Sequence, residues 1–287
     1  MKNINVKIVS SFSIGNSGGN KAGVVLNADN LTNIEKQKIA ALVGVSETAF
    51  VSSSEIADFK LDFFTPVKQI PHCGHATVAT FSLLKQLNQV KGVVSSKETI
   101  DGTREISFAG NLAFMEQKAP QYIYLDDYHT VLKLLGISKN ELHDDLTPMI
   151  VNTGNSFLML PVKDIKTLQN VSPDFNAILK YSEMHNVVGV YTFTPINSSE
   201  YDAETRMFAP LYGINEEAAT GMAAGPLACY MHKYLNAKKE YHISQGKLMP
   251  LPSPSSITVK LAIDSGKISK LFAGGNAYVE KEVIISI

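Results

Sequence analysis

Over Met1 to Ser13 apolar residues alternate with Lys2, Asn3, Asn5 and Lys7, and this period of two predicts a β-strand. Gly19-Asn20 then precedes an apolar run at Ala22 to Leu26, and Asp29 and Leu31 lead into a polar helical stretch ending near Val43. Strand-like segments at Thr48 to Val51 and Phe59 to Phe64 bring the chain to Phe64-Thr65-Pro66 and then to Ala76-Thr77. The same succession returns in the second half. Gly154-Asn155 precedes Phe157 to Leu160; Asp164, Ile165 and Leu168 open a helical stretch; Val187 to Phe193 and Ala203 to Phe208 read as strands; and Phe208-Ala209-Pro210 leads to Ala219-Thr220. So ordered a series indicates a diverged duplication dividing near Ala119-Pro120, with the two Ala-Thr words as one of its matched pairs.

Each copy carries a segment with no charged face. Ala76 to Leu84 is apolar or small throughout, and Ala218 to Met231 likewise holds Gly221, Gly225 and Pro226 but no charge. A helix of this kind must be enclosed on every side. With many short strands around it, the expected enclosure is a strongly curved, mostly antiparallel sheet wrapped about one helix, an α+β class. Pro226 is unexpected in a helix interior, where it would bend or interrupt the helix.

Composition narrows the partners. The 287 residues suit two domains. A formal net charge of −1 with scattered Lys and Arg leaves no footprint for nucleic acid or an anionic membrane. The N-terminal stretch lacks the apolar core of a signal peptide, and no apolar run approaches the roughly 18–20 residues that span a bilayer. Two cysteines, Cys73 and Cys229, make no disulfide framework, so a cytoplasmic, reducing setting is expected. The partner expected is a small anionic metabolite.

Both uncharged helices begin at a Gly-containing turn, His72-Cys73-Gly74-His75-Ala76-Thr77 in one copy and Glu216-Glu217-Ala218-Ala219-Thr220-Gly221 in the other. Free N–H groups and the positive end of a helix dipole gather at such a start, which suits an anion. If the copies face each other, the two starts share a cleft.

The words Gly18-Gly19-Asn20, Ser46-Glu47-Thr48-Ala49-Phe50-Val51, Phe63-Phe64-Thr65-Pro66, Cys73-Gly74-His75-Ala76-Thr77, Arg206-Met207-Phe208-Ala209-Pro210, Ala219-Thr220-Gly221, Ser244-Gln245-Gly246 and Ala273-Gly274-Gly275-Asn276 together resemble the signatures of the PhzF (phenazine biosynthesis-like) family, in family order and almost end to end. The resemblance implies the diaminopimelate epimerase-like fold, two pseudo-symmetric domains each with a barrel-like sheet around a central helix. The first domain would span 1–119 with a returning tail from about 272 to 287, the second 120–271. It also implies a metal- and cofactor-independent isomerase, commonly dimeric, that moves a proton within a carboxylate-bearing metabolite.

By the same resemblance Glu47 is the proton shuttle, and Gly74, His75, Glu217, Gly221 and Met222 bind the substrate. For Glu47 to act as base and acid, its pKa is expected above the usual value of about 4.3, through burial away from cations. Two departures point to a substrate other than the phenazine precursor or to a reduced activity. The family commonly has Asp-Pro-Ala-Thr-Gly-Ser where this chain has Glu217 to Met222, so the acid is one methylene longer and a hydroxyl gives way to a thioether.

Two other readings compete. Related racemases use opposed cysteines at the two helix starts, and Cys73 stands where the first would be, but the second start has no cysteine and Cys229 lies about two turns further on. A one-thiol variant with Cys73 and Glu217 as partners stays open. The chain could also be a non-catalytic metabolite binder, which Met222 favours and the retention of Glu47, His75 and Glu217 opposes. Zinc is disfavoured because the His72-Cys73-His75 group and the Cys229-x-x-His232 pair are not expected to converge.

Overall fold

The structure is a computed structural model that describes residues 1–126 and 128–287. It divides into two units, Met1–Glu116 with Gly274–Ile287, and Gln117–Ala273.

In unit 1 the alternation of β1 (Asn3–Ser11) lasts as far as Ile8, after which Val9, Ser10 and Ser11 are all buried. β1 runs antiparallel to β2 (Asn20–Val25). A crossover through α1 (Asn33–Val43) makes β3 (Glu47–Ser52) parallel to β2. α1 starts where its sequence directs: the Thr32 hydroxyl accepts from the Glu35 amide at 3.2 Å and the Glu35 carboxylate accepts from the Thr32 amide at 2.9 Å. Such a capping box contributes about 1 kcal/mol. β4 (Phe59–Phe64) pairs antiparallel with β3, and β5 (Gln69–Ile70) folds back on β4 before α2 (Gly74–Gln86) begins. β6 (Val94–Thr99) then lies parallel to β4, and β7 (Gly102–Ala109) and β8 (Leu112–Lys118) continue antiparallel.

Every residue of α2 from Gly74 to Leu84 is buried, as its uncharged sequence requires. The helix touches β1, β2 and β3. Burial of Phe81, Leu83 and Leu84 contributes about 2 kcal/mol each.

Unit 2 repeats the plan. β9 (Gln121–Tyr124) is followed by α3 (His129–Leu134) and pairs antiparallel with β10 (Met149–Asn152), which pairs antiparallel with β11 (Ser156–Pro161). The helical stretch after Asp164 is two helices, α4 (Ile165–Asn170) and α5 (Phe175–His185), because Pro173 cannot continue the first and Asp174 caps the second. They carry the chain to β12 (Val190–Pro195), parallel to β11. β13 (Ala203–Ala209) is antiparallel to β12, β14 (Ile214–Glu217) returns on β13, and α6 (Gly221–Tyr234) follows. β15 (Glu240–Gln245) lies parallel to β13, then β16 (Ser255–Asp264) antiparallel to it and β17 (Lys267–Gly275). β18 (Ala277–Ser286) belongs to unit 1, antiparallel to β1 from Asn3↔Ser286 to Ser11↔Ala277, and packs against α2. The class is α+β, with a mixed sheet and buried helices, and the sheet does not close. No helix among the described residues is long and apolar enough to cross a membrane.

The strand registers align the copies residue by residue. Gly23 pairs with Thr48 and Thr48 with Phe64; Leu158 pairs with Val190 and Val190 with Phe208. Gly23 therefore corresponds to Leu158, which sets Gly19-Asn20 opposite Gly154-Asn155. The Ala-Thr words, by contrast, are not equivalent. Cys73 caps α2 and Thr220 caps α6, so α6 starts at Gly221 rather than near Ala219, and Thr77 corresponds to Ala224. The difference is taken up by a 3-10 turn at Pro210–Tyr212 and by β14, which is longer than β5. Nor does Pro226 interrupt α6, which runs through it with Pro226 buried.

Candidate functional site

Three of the residues singled out in the sequence meet in unit 1. Glu47 is the first residue of β3, Cys73 is the N-cap of α2 and His75 sits in its first turn. All three are buried, Glu47 and Cys73 each 5% and His75 4% exposed. The His75 ring joins the other two: its Nδ1 is 3.5 Å from the Cys73 Sγ and its Nε2 is 3.2 Å from the Glu47 Oε2. Thiol, imidazole and carboxylate form a chain of proton-carrying groups at the positive end of a 13-residue helix. Gly74 is the first residue of that helix and buried.

The electrostatics differ from the expectation for Glu47. Burial does push its carboxyl up, but the adjacent His75 charge, with hydrogen bonds from His75 and Ser46, outweighs burial and holds it below the usual carboxylate value. The cause is the imidazole itself: Glu47 is buried beside His75, not away from groups that favour its charged form. Burial moves the Cys73 thiol the other way, above its ordinary range.

Among the described residues, Glu47, Cys73 and His75 also form a group of three with metal-ligand chemistry, ligand atoms within 4.8 Å of one another. Zinc accepts these types. The imidazole, however, turns a different nitrogen to each neighbour, so no single ring atom faces both. His72 points elsewhere, its Nδ1 3.1 Å from the Lys97 Nζ.

Unit 2 holds the other candidates at the start of α6. Glu217 ends β14 and accepts a hydrogen bond from the Thr220 hydroxyl of the cap. Gly221 is the first helical residue, and its carbonyl accepts from Gln117 Nε2 at 2.9 Å. Met222 is half-buried, its Sδ 3.6 Å from the Asn155 Nδ2, a weak contact of the kind a thioether can make. Cys229 lies in the buried middle of α6, where burial pushes its thiol up to about 12.

Two buried networks were not singled out beforehand. Gln245, at the end of β15, donates to the Glu217 carbonyl at 2.7 Å and accepts from the Thr220 amide at 3.1 Å and the Tyr191 hydroxyl at 2.9 Å. Gly246 follows at φ +81°, where a Cβ would lie 2.2 Å from the Ser253 carbonyl oxygen and 2.7 Å from that of Ala218. The Ser-Gln-Gly word thus ties down the α6 start. In unit 1 Lys97 ties down the start of α2 from a different register position, donating to the Thr77 hydroxyl at 2.6 Å, while that hydroxyl donates to the Cys73 carbonyl, also at 2.6 Å. No sequence signal marked Lys97, because Ser96 and Glu98 on either side are polar as well.

The model of the family described as Phenazine biosynthesis-like protein, PhzC-PhzF, matches residues 9–282. The chain belongs to this family. An uncharacterized isomerase of Clostridium acetobutylicum is 33% identical over 97% of each chain. A trans-2,3-dihydro-3-hydroxyanthranilate isomerase of Pseudomonas chlororaphis is 28% identical over 94% of each. The crystal structure of a PhzF-family protein from Bacillus anthracis superimposes with a TM-score of 0.90 over the full length of both chains, at 29% identity. Family membership supports an isomerase or epimerase-like function.

Proposed function

We propose that this PhzF-family protein is a metal- and cofactor-independent isomerase that moves a proton within a small carboxylate-bearing metabolite, cyclic acids included, with Glu47 as the shuttle. The observation that carries the reading is the buried Glu47 carboxylate 3.2 Å from His75 at the start of α2. His75 keeps the carboxylate in its proton-accepting form, and the N–H groups of the α2 start attract the anionic ligand. A carboxylate that takes a proton from one carbon and returns it to another on the same face needs no redox partner. Gly74 and His75 are proposed ligand contacts in unit 1, and Glu217, Gly221 and Met222 are proposed contacts of the α6 start. A homodimer in the cytoplasm is proposed by analogy with the family.

The test is solvent exchange. Candidate conjugated acids, trans-2,3-dihydro-3-hydroxyanthranilate among them, are incubated in D2O with the wild type and with Glu47→Gln. Deuterium incorporation by the wild type alone supports the reading. Binding without exchange in either form favours a metabolite binder. Equal exchange in both forms removes Glu47 and turns attention to Cys73, whose contact with His75 Nδ1 supports a thiol-assisted racemase or epimerase as the second reading.

A further inference from the structure

Lys97 is 0% exposed, and the Nζ contacts shown for it are neutral: Thr77 Oγ1 at 2.6 Å, His72 Nδ1 at 3.1 Å and the face of the Phe63 ring at 5.2 Å. The charged and titratable groups that act on it are Cys73 of the α2 cap, Arg104 of β7 and Asp101 before it. A buried ammonium that is not neutralised is destabilising, so its presence calls for a reason.

The duplicated half shows that the fold does not supply that reason. Lys97 pairs with Phe59 across β4 and β6, and the matching position across β13 and β15 is Ile243, paired with Ala203. Counted from the caps, His72 and Thr77 correspond to Ala219 and Ala224. A Lys-His-Thr group in unit 1 thus stands where unit 2 has Ile, Ala and Ala, all buried. Tethering the helix start does not require charge either, since unit 2 achieves it with the neutral Gln245 amide. What distinguishes unit 1 is the Glu47, Cys73 and His75 cluster immediately above.

We propose that Lys97 is a positioning residue that acts through Thr77 and His72 on the first turn of α2, placing positive charge beneath the cluster and strengthening its pull on an anionic ligand. Burial lowers the Lys97 amine to about 7, so the charge it supplies varies across the neutral range. The same charge lies among the causes that keep His72 well below its ordinary value, after burial.

The inference deepens the anion-binding part of the proposed function, but its test needs no turnover. The full chain is compared as wild type, Lys97→Met and Lys97→Arg. Lys97→Met is expected to melt at or above the wild-type temperature, to raise the His72 titration midpoint in histidine NMR spectra by about one pH unit, and to slow iodoacetamide modification of Cys73 at about pH 6.5, where the lysine is still mostly charged, by roughly tenfold. Lys97→Arg is expected to restore both electrostatic readouts towards the wild type. An unmoved His72 midpoint, or a Cys73 that reacts alike in wild type and Lys97→Met, including not at all, overturns the proposal. A lower melting temperature with both readouts unchanged makes Lys97 a packing residue and also overturns it. Loss of Glu47-dependent exchange would leave these results untouched, and the reverse holds as well.

Discussion

The starts of α2 and α6 stand on one scaffold and carry opposite chemistry. Glu47, one residue before Thr48, corresponds to Gly189, one residue before Val190. Cys73 corresponds to Thr220 and His75 to Met222. A carboxylate, a thiol and an imidazole face a bare backbone, a hydroxyl and a thioether. Gly189 could not carry a side chain at all, because a Cβ there would lie 2.1 Å from the Phe208 carbonyl oxygen. At the matched positions unit 1 therefore holds groups that exchange protons and unit 2 holds neutral ones, with the nearby acid Glu217 already engaged by the cap. Duplication gave both helices the same enclosure, and divergence concentrated titratable groups at one of them.

Removing the base is expected to have the largest effect. Glu47→Gln keeps size and hydrogen bonding but cannot accept a proton, so turnover should fall roughly 10²–10⁴-fold while calorimetric affinity for the ligand survives. Next comes the exchange of one unit's interior into the other. Ile243→Lys buries an ammonium where alanines, Ala219 and Ala224, match His72 and Thr77 and cannot receive it, and should cost about 4 kcal/mol in urea unfolding. A cost near zero would mean that unit 2 tolerates a buried charge as readily as unit 1, and the contrast would lose its meaning.

His75→Ala should weaken binding and turnover together, each by roughly tenfold, because it removes both a ligand contact and the group that keeps Glu47 ionised. The smallest effect concerns acid stability. The folded Glu47 carboxyl lies below its ordinary value of 4.5, so as pH falls the unfolded chain takes this proton first. The stabilisation is present above about pH 4.5 and is lost as pH drops through that value towards the lower folded one. Thermal melts between pH 6 and 3 should therefore fall slightly less steeply for Glu47→Gln than for the wild type.

Much of this was legible in the sequence because it rests on short-range rules. The uncharged run from Ala76 to Leu84 had to be enclosed, and it is. Phe59 to Phe64 alternates and forms a strand with those limits. The Gly19-Asn20 and Gly154-Asn155 words proved equivalent because a β-ladder preserves register. The Ala76-Thr77 and Ala219-Thr220 words did not, because the turn before a helix can lengthen without disturbing the strands around it. Glu47 and His75 were found as family words, but their 3.2 Å contact depends on bringing β3 against α2, and so does the lowered carboxyl pKa. Lys97 was hidden for a related reason. Its sequence neighbours Ser96 and Glu98 read as an ordinary polar strand, and only the pairing of β4 with β6 turns it inward beneath the α2 cap.

The pairing of β1 with β18 has a consequence for how the protein is made. Lys2 and Ile287 exchange backbone hydrogen bonds at 3.0 Å in each direction, so the strand that completes unit 1 is translated only after unit 2. All of Gln117–Ala273 leaves the ribosome before that strand appears. At about 5–20 residues per second, the newborn first unit waits roughly ten seconds or more with β1 uncovered along one edge. An exposed edge strand is a template for pairing with a neighbouring chain. Vectorial synthesis thus leaves the half that carries Glu47 unfinished until unit 2 has been made, and in need of protection from other nascent chains meanwhile.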